Sequence, residues 1–86
     1  MYSYETERPK LFTEDMQRIF LQVRDKAAGL VAKSGAVLMG NIITGIGGTD
    51  TWKLMACVDR LVELGELREV SCQPGRGQDR IFIKPE

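Results

Sequence analysis

The feature that most limits what this chain can fold into is the stretch from Thr49 to Leu67, Thr-Asp-Thr-Trp-Lys-Leu-Met-Ala-Cys-Val-Asp-Arg-Leu-Val-Glu-Leu-Gly-Glu-Leu. Asp50 is suited to accept a hydrogen bond from a free N–H of a first helical turn, and Gly65 to take the left-handed conformation that ends a helix. Between those marks, at about 100° per residue, Leu54, Cys57, Val58 and Leu61 share one face, flanked by Val62 and Leu64. That face is expected to be buried. The opposite face carries Trp52, Ala56, Asp59 and Glu63, with Lys53 and Arg60 along one edge.

The preceding chain supplies packing partners for this helix. Residues 1–12 show no periodicity and read as an amino-terminal arm. Tyr2 and Tyr4 couple apolar rings to polar tips, so the arm can dock on its own domain or on a second copy, or simply fray. Thr13 is an N-cap signal, and Glu14 and Asp15 complement the positive end of a helix dipole. Met16, Ile19, Phe20, Val23, Ala27 and Leu30 then form one apolar stripe, predicting a long first helix to about Ala32, with Leu21 off the stripe. Gly29 is a place where it can bend or stop. A short second helix is expected over Ala36 to Thr44, ended by Gly45-Ile46-Gly47-Gly48, a connector of the kind found between crossing helices, with Ile46 plugging the core. That glycine run lacks the Gly-Lys-Ser/Thr ending of a phosphate loop and follows no predicted strand, so nucleotide binding is not expected.

After Gly65, Leu67 to Cys72 alternates as a strand should, with Val70 and Cys72 on one face and Glu69 and Ser71 on the other. Gln73 to Gln78 contains one proline and two glycines and reads as a loop. Arg80 to Lys84 is the expected return strand, with Ile81 and Ile83 inward and Phe82 covering the other side. The expected order is helix, helix, helix, strand, strand, with residues 13–86 forming one domain.

Composition narrows the chemistry. There is no His, and the Asp, Glu and Ser residues show no pairing with a base or nucleophile, so neither catalysis nor a cofactor is expected. Two cysteines, Cys57 and Cys72, are too few for a metal site. Cys57 is expected as a buried structural thiol. A disulfide between the two stays open on spacing alone and is disfavoured in a cytoplasmic setting, which is the default here. No apolar run approaches the roughly 20 residues of a membrane span. Formal net charge is zero, from 12 basic and 12 acidic residues. DNA binders usually carry a basic excess, because affinity comes largely from counterion release at phosphates. Locally, Arg68, Arg76, Arg80 and Lys84 outnumber Glu69 and Asp79, a positive excess of two in the hairpin.

Val58-Asp59-Arg60-Leu61-Val62-Glu63-Leu64-Gly65-Glu66-Leu67, followed by a short strand, a glycine-containing loop with Asp79-Arg80 and a second strand, resembles a winged helix-turn-helix domain. It is nearest to the multiple-antibiotic-resistance-regulator type, and the likeness covers roughly the carboxy-terminal half. The fold class this implies is α+β, mostly α, with three helices and a two-stranded wing. The resemblance also implies a double-stranded DNA partner, with the third helix entering the major groove and the wing beside phosphates or in the minor groove. Carried over by residue, this falls on Thr51, Trp52, Lys53 and Ala56 of the helix, Arg60 as a phosphate contact, and Arg76, Gln78 and Arg80 of the wing, with Asp79 holding Arg80. A small transcriptional regulator acting as a homodimer is the corresponding function. The alternative is a docking or dimerisation module that meets a protein partner at Trp52, since this fold serves both roles.

Overall fold

In a computed structural model, which describes residues 1–70 and 79–85, the long helix begins where its cap predicts. The Met16 N–H donates to Thr13 Oγ1 at 3.2 Å, and helix α2 runs Glu14–Ser34. It passes through Gly29 without a break, because a lone glycine in open space lowers helix propensity without obstructing packing. Met16, Phe20, Val23, Ala27 and Val31 are buried along it, and Leu21 lies exposed off the stripe as expected.

The chain that follows departs from the sequence reading. Ala36–Leu38 is a strand, β1, and helix α3 spans Met39–Ile46. Ala-Val-Leu fits either period over three residues, and pairing decides between them: β1 runs antiparallel to β3, Ile81–Ile83, with Val37 opposite Phe82 and Leu38 opposite Ile81. The Met39 N–H then donates to the Arg80 carbonyl at 2.8 Å, so the ladder reaches the first residue of α3. Met39 and Ile42 are fully buried, and Ile46 packs partly buried against the core.

Gly47 and Gly48 connect α3 to the next helix with φ values of 62° and 74°, a left-handed pair that residues with a Cβ adopt only at a cost. Helix α4 spans Thr51–Glu63, its first turn closed by the Trp52 N–H donating to Asp50 Oδ1 at 2.8 Å. It ends at the left-handed Gly65, whose φ is 80°. Leu54, Cys57, Val58 and Leu61 are buried as their spacing requires, and Met55 and Ala56 are buried with them.

Strand β2, Arg68–Glu69, pairs with the opposite edge of β3, giving a three-stranded antiparallel sheet in the order β1-β3-β2 where two strands were expected. Within β3 the inward residue is Phe82, at 0% exposure, while Ile81 is 40% exposed, the reverse of the sequence reading. Alternation allows one face inward, and Phe82 offers the larger apolar area to bury. The register sets Phe82 between Val37 and Glu69, which draws Glu69 inward too.

The amino-terminal segment is folded onto the domain. Tyr4–Glu7 forms a single helical turn, α1, and Arg8–Phe12 a 3-10 turn. Leu11 is 1% exposed and anchors this segment in the core shared with α2 and α4. The architecture is therefore a mostly helical α+β fold with four helices around one core and a small sheet.

Candidate nucleic-acid interface

Helical geometry sets Trp52, Ala56, Asp59 and Glu63 on one stripe of α4, turned away from the face that carries Leu54 and Leu61. The amino-terminal segment lies along that stripe. The Tyr2 ring meets Trp52 edge-on, with centroids 6.4 Å apart, and its hydroxyl donates to Asp59 Oδ2. The Tyr4 hydroxyl donates to Glu63 Oε1 at 2.9 Å, and Arg8 Nε donates to the same carboxylate at 3.0 Å. Ala56, between the two residues that Tyr2 touches, has no exposure. Ala56, expected to leave room for a base methyl group, is therefore a core residue and open to no such contact here.

The remaining candidates separate into three groups. Thr51 and Trp52 are exposed on the first turn of α4, Trp52 by 42%, and Lys53 is half-buried beside them. Arg60 and Arg80 are engaged in ion pairs. Arg76 and Gln78 lie outside the described residues, as does Cys72.

Arg80 stands at the root of β3 with its side chain 14% exposed. It donates to both oxygens of Asp59 on α4 and to both of Glu69 on β2, the latter at 2.9 and 2.8 Å, and its guanidinium lies 5.2 Å over the Phe82 ring. The hydrogen bonds that Arg80 donates to Glu69 are the first cause holding this guanidinium charged, and the same bonds hold Glu69 below its ordinary carboxylate range. Asp79 was expected to hold Arg80; the holders are Asp59 and Glu69. Their positions, 21 and 11 residues away, leave no local sequence signal.

Glu63 collects Tyr4, Arg8 and Arg60, and its pKa falls to about 2, first through the Arg60 hydrogen bond and then through those of Arg8 and Tyr4. Phe12, half exposed, sits between the Arg8 and Arg60 guanidinium groups at 5.3 and 5.4 Å. Both tyrosine hydroxyls titrate above their ordinary value, chiefly through burial and then through their carboxylate acceptors. Across this surface three arginines (Arg8, Arg60, Arg80) face three acids (Asp59, Glu63, Glu69), so it is neutral. Sequence reasoning had Asp59 and Glu63 facing outward, but nothing in the spacing tied them to an arm 55 to 59 residues away.

Glu63 gives a pH prediction with a definite sign. Its folded pKa is depressed, so its stabilising contacts are complete above the ordinary value of 4.5 and disappear as pH falls toward about 2. In a thermal-melt series, Glu63→Gln is expected to remove part of the acid sensitivity seen between those limits. Identical pH dependence in both proteins would count against the cluster.

Cys57 is fully buried and free of any disulfide, and burial pushes its thiol up to about 12, so it is unreactive at neutral pH. Among the described residues no three His, Cys, Asp or Glu side chains converge as a metal site would need, and no helix is long and apolar enough to cross a membrane. No protein-family model matches the chain, and no curated protein or solved structure matches it either.

Proposed function

We propose that the chain is a winged helix-turn-helix domain that binds double-stranded DNA, with α3, the glycine turn and α4 as its helix-turn-helix. The observation that carries this reading is the exposed, capped first turn of α4 directly after a short turn containing Gly47 and Gly48. The order of helix, strand, two helices and a returning pair of strands, with β3 in the middle of the sheet, supports the same arrangement.

In this reading Thr51, Trp52 and Lys53 lead into the major groove, where a hydroxyl, an apolar ring and an ammonium meet base edges and phosphate. Arg76 and Gln78 supply wing contacts. Arg80 and Arg60 act through the scaffold: Arg80 ties the hairpin root to α4, and Arg60 neutralises Glu63. Pairing as a homodimer doubles the short site that one such domain reads, which suits a non-catalytic, cytoplasmic transcriptional regulator.

The second reading, a protein-docking module, is favoured by the neutral charge cluster and by the exposed Trp52 with Tyr2 against it, since aromatic anchors dominate protein interfaces.

Titration of mixed-sequence duplex DNA at low and moderate salt, read by Trp52 emission and by anisotropy of labelled DNA, separates the two. DNA binding predicts a change in Trp52 emission and a steep salt dependence, with Lys53→Ala lowering the logarithmic salt slope by about one. A chain that gives neither signal at low salt, with its amino-terminal segment in place or released, is a docking module.

A further inference from the structure

We infer that residues 1–6 are an intramolecular cover over the outward stripe of α4, and that their release is coupled to DNA binding. This rests on the DNA-binding reading above and adds its regulation.

The steric basis is direct. A major groove about 12 Å wide admits one helix about 10–12 Å across, not a helix with a second layer of chain upon it. Tyr2 spans from Trp52 to Asp59, and Tyr4 reaches Glu63, so the layer extends over the stripe from its first turn to its last. In the closed form the exposed residues of α4 are Thr51 and Trp52 on its first turn and Glu63 on its last.

The cover is built to separate from its anchor. Leu11, at 1% exposure, and the buried Glu7, paired with Lys10 at 3.2 Å, fix the following turn to the core. By contrast, Ser3 makes no side-chain capping bond to α1, and the first residues are held by two hydroxyl donations, one edge-on ring contact, one backbone bond from Glu7 to Ser3 and the partly buried packing of the two tyrosine rings. Releasing them leaves Asp59 paired with Arg80 and Glu63 with Arg60, so the uncovered stripe stays neutral toward phosphate. Closed and open forms then differ in access rather than in charge, and the apparent DNA affinity is lowered by the fraction of chains that are closed.

The test compares the wild-type chain with Tyr2→Ala/Tyr4→Ala, and with Tyr2→Phe, which removes only the hydroxyl on Asp59. A cooperative melt verifies the fold of each. Acrylamide quenching of Trp52 without DNA reports the cover independently of any ligand, and anisotropy titration with mixed-sequence duplex reports binding. The expected result is stronger quenching and about fivefold or greater gain in DNA affinity for the double variant, with a smaller gain for Tyr2→Phe. Unchanged quenching overturns the cover. Stronger quenching with equal or weaker DNA affinity overturns its inhibitory role while leaving the DNA-binding reading intact. Absence of binding by all three proteins at low salt overturns both.

Discussion

Phe82→Ala is expected to lower stability by about 3–5 kcal/mol, measured by urea denaturation, and to leave the protein marginally folded. Phe82 is fully buried in the central strand, opposite Val37 on one side and Glu69 on the other, with the Arg80 guanidinium over its ring. Truncation removes the ring's transfer energy and leaves a cavity where the sheet meets the helices. A small domain holds roughly 5–15 kcal/mol in total, so this one change takes a large share of it. Phe82→Leu, closer in volume, is expected to lose about 1 kcal/mol. Ile81→Ala is the control for orientation. At 40% exposure its side chain is expected to contribute about 1 kcal/mol. A larger loss at Ile81 than at Phe82 would reverse the assignment of faces in β3.

That reversal is where sequence reading met its limit. Ile-Phe-Ile alternates equally well in either phase, and only pairing with a third strand fixes the phase. The third strand was itself hidden, because Ala36–Leu38 carries too few residues for a period of 2 to be told from a period of 3.6. Longer segments left no such freedom. The Thr13 cap and the stripe from Met16 to Ala27 predicted α2, and the Asp50 cap, the Leu54-to-Leu61 face and Gly65 predicted α4 within the uncertainty of helix ends. Local chemistry at α4 was legible for the same reason: caps and helical faces are set by neighbours within a few residues. The outward stripe was not. Ala56 belongs to it by spacing and to the core by burial, and an aperiodic segment with two tyrosines lies along the rest of it. Such contacts depend on where the chain returns in space, which a helical wheel does not encode.

Arg80→Ala is expected to destabilise the domain by about 2–3 kcal/mol, a fall of roughly 10–20 °C in a thermal melt. Breaking a fully buried ion pair costs about 3–5 kcal/mol, and the lower figure allows for water reaching Glu69, whose side chain is 28% exposed. The substitution leaves Asp59 and Glu69 facing one another without their shared cation, so charge repulsion and desolvation act together. Its pH dependence identifies the cause. In the wild-type protein Glu69 is held below its ordinary range, so its contribution is present above that range and is lost as pH falls. In the variant Glu69 loses the hydrogen bonds that hold it low, and protonating it relieves the repulsion. The gap between the two proteins is therefore expected to be widest near pH 7 and to narrow toward pH 4. Glu69→Gln added to Arg80→Ala is expected to recover part of the loss at pH 7. A gap unchanged by pH would assign the loss to the guanidinium stacked over Phe82 instead. The same experiment governs how DNA data on this residue are read. Because Arg80 joins α4, β2 and β3, weaker DNA binding by the variant reports a displaced hairpin root unless the conservative Arg80→Lys, keeping a cation between the two acids, fails to restore it.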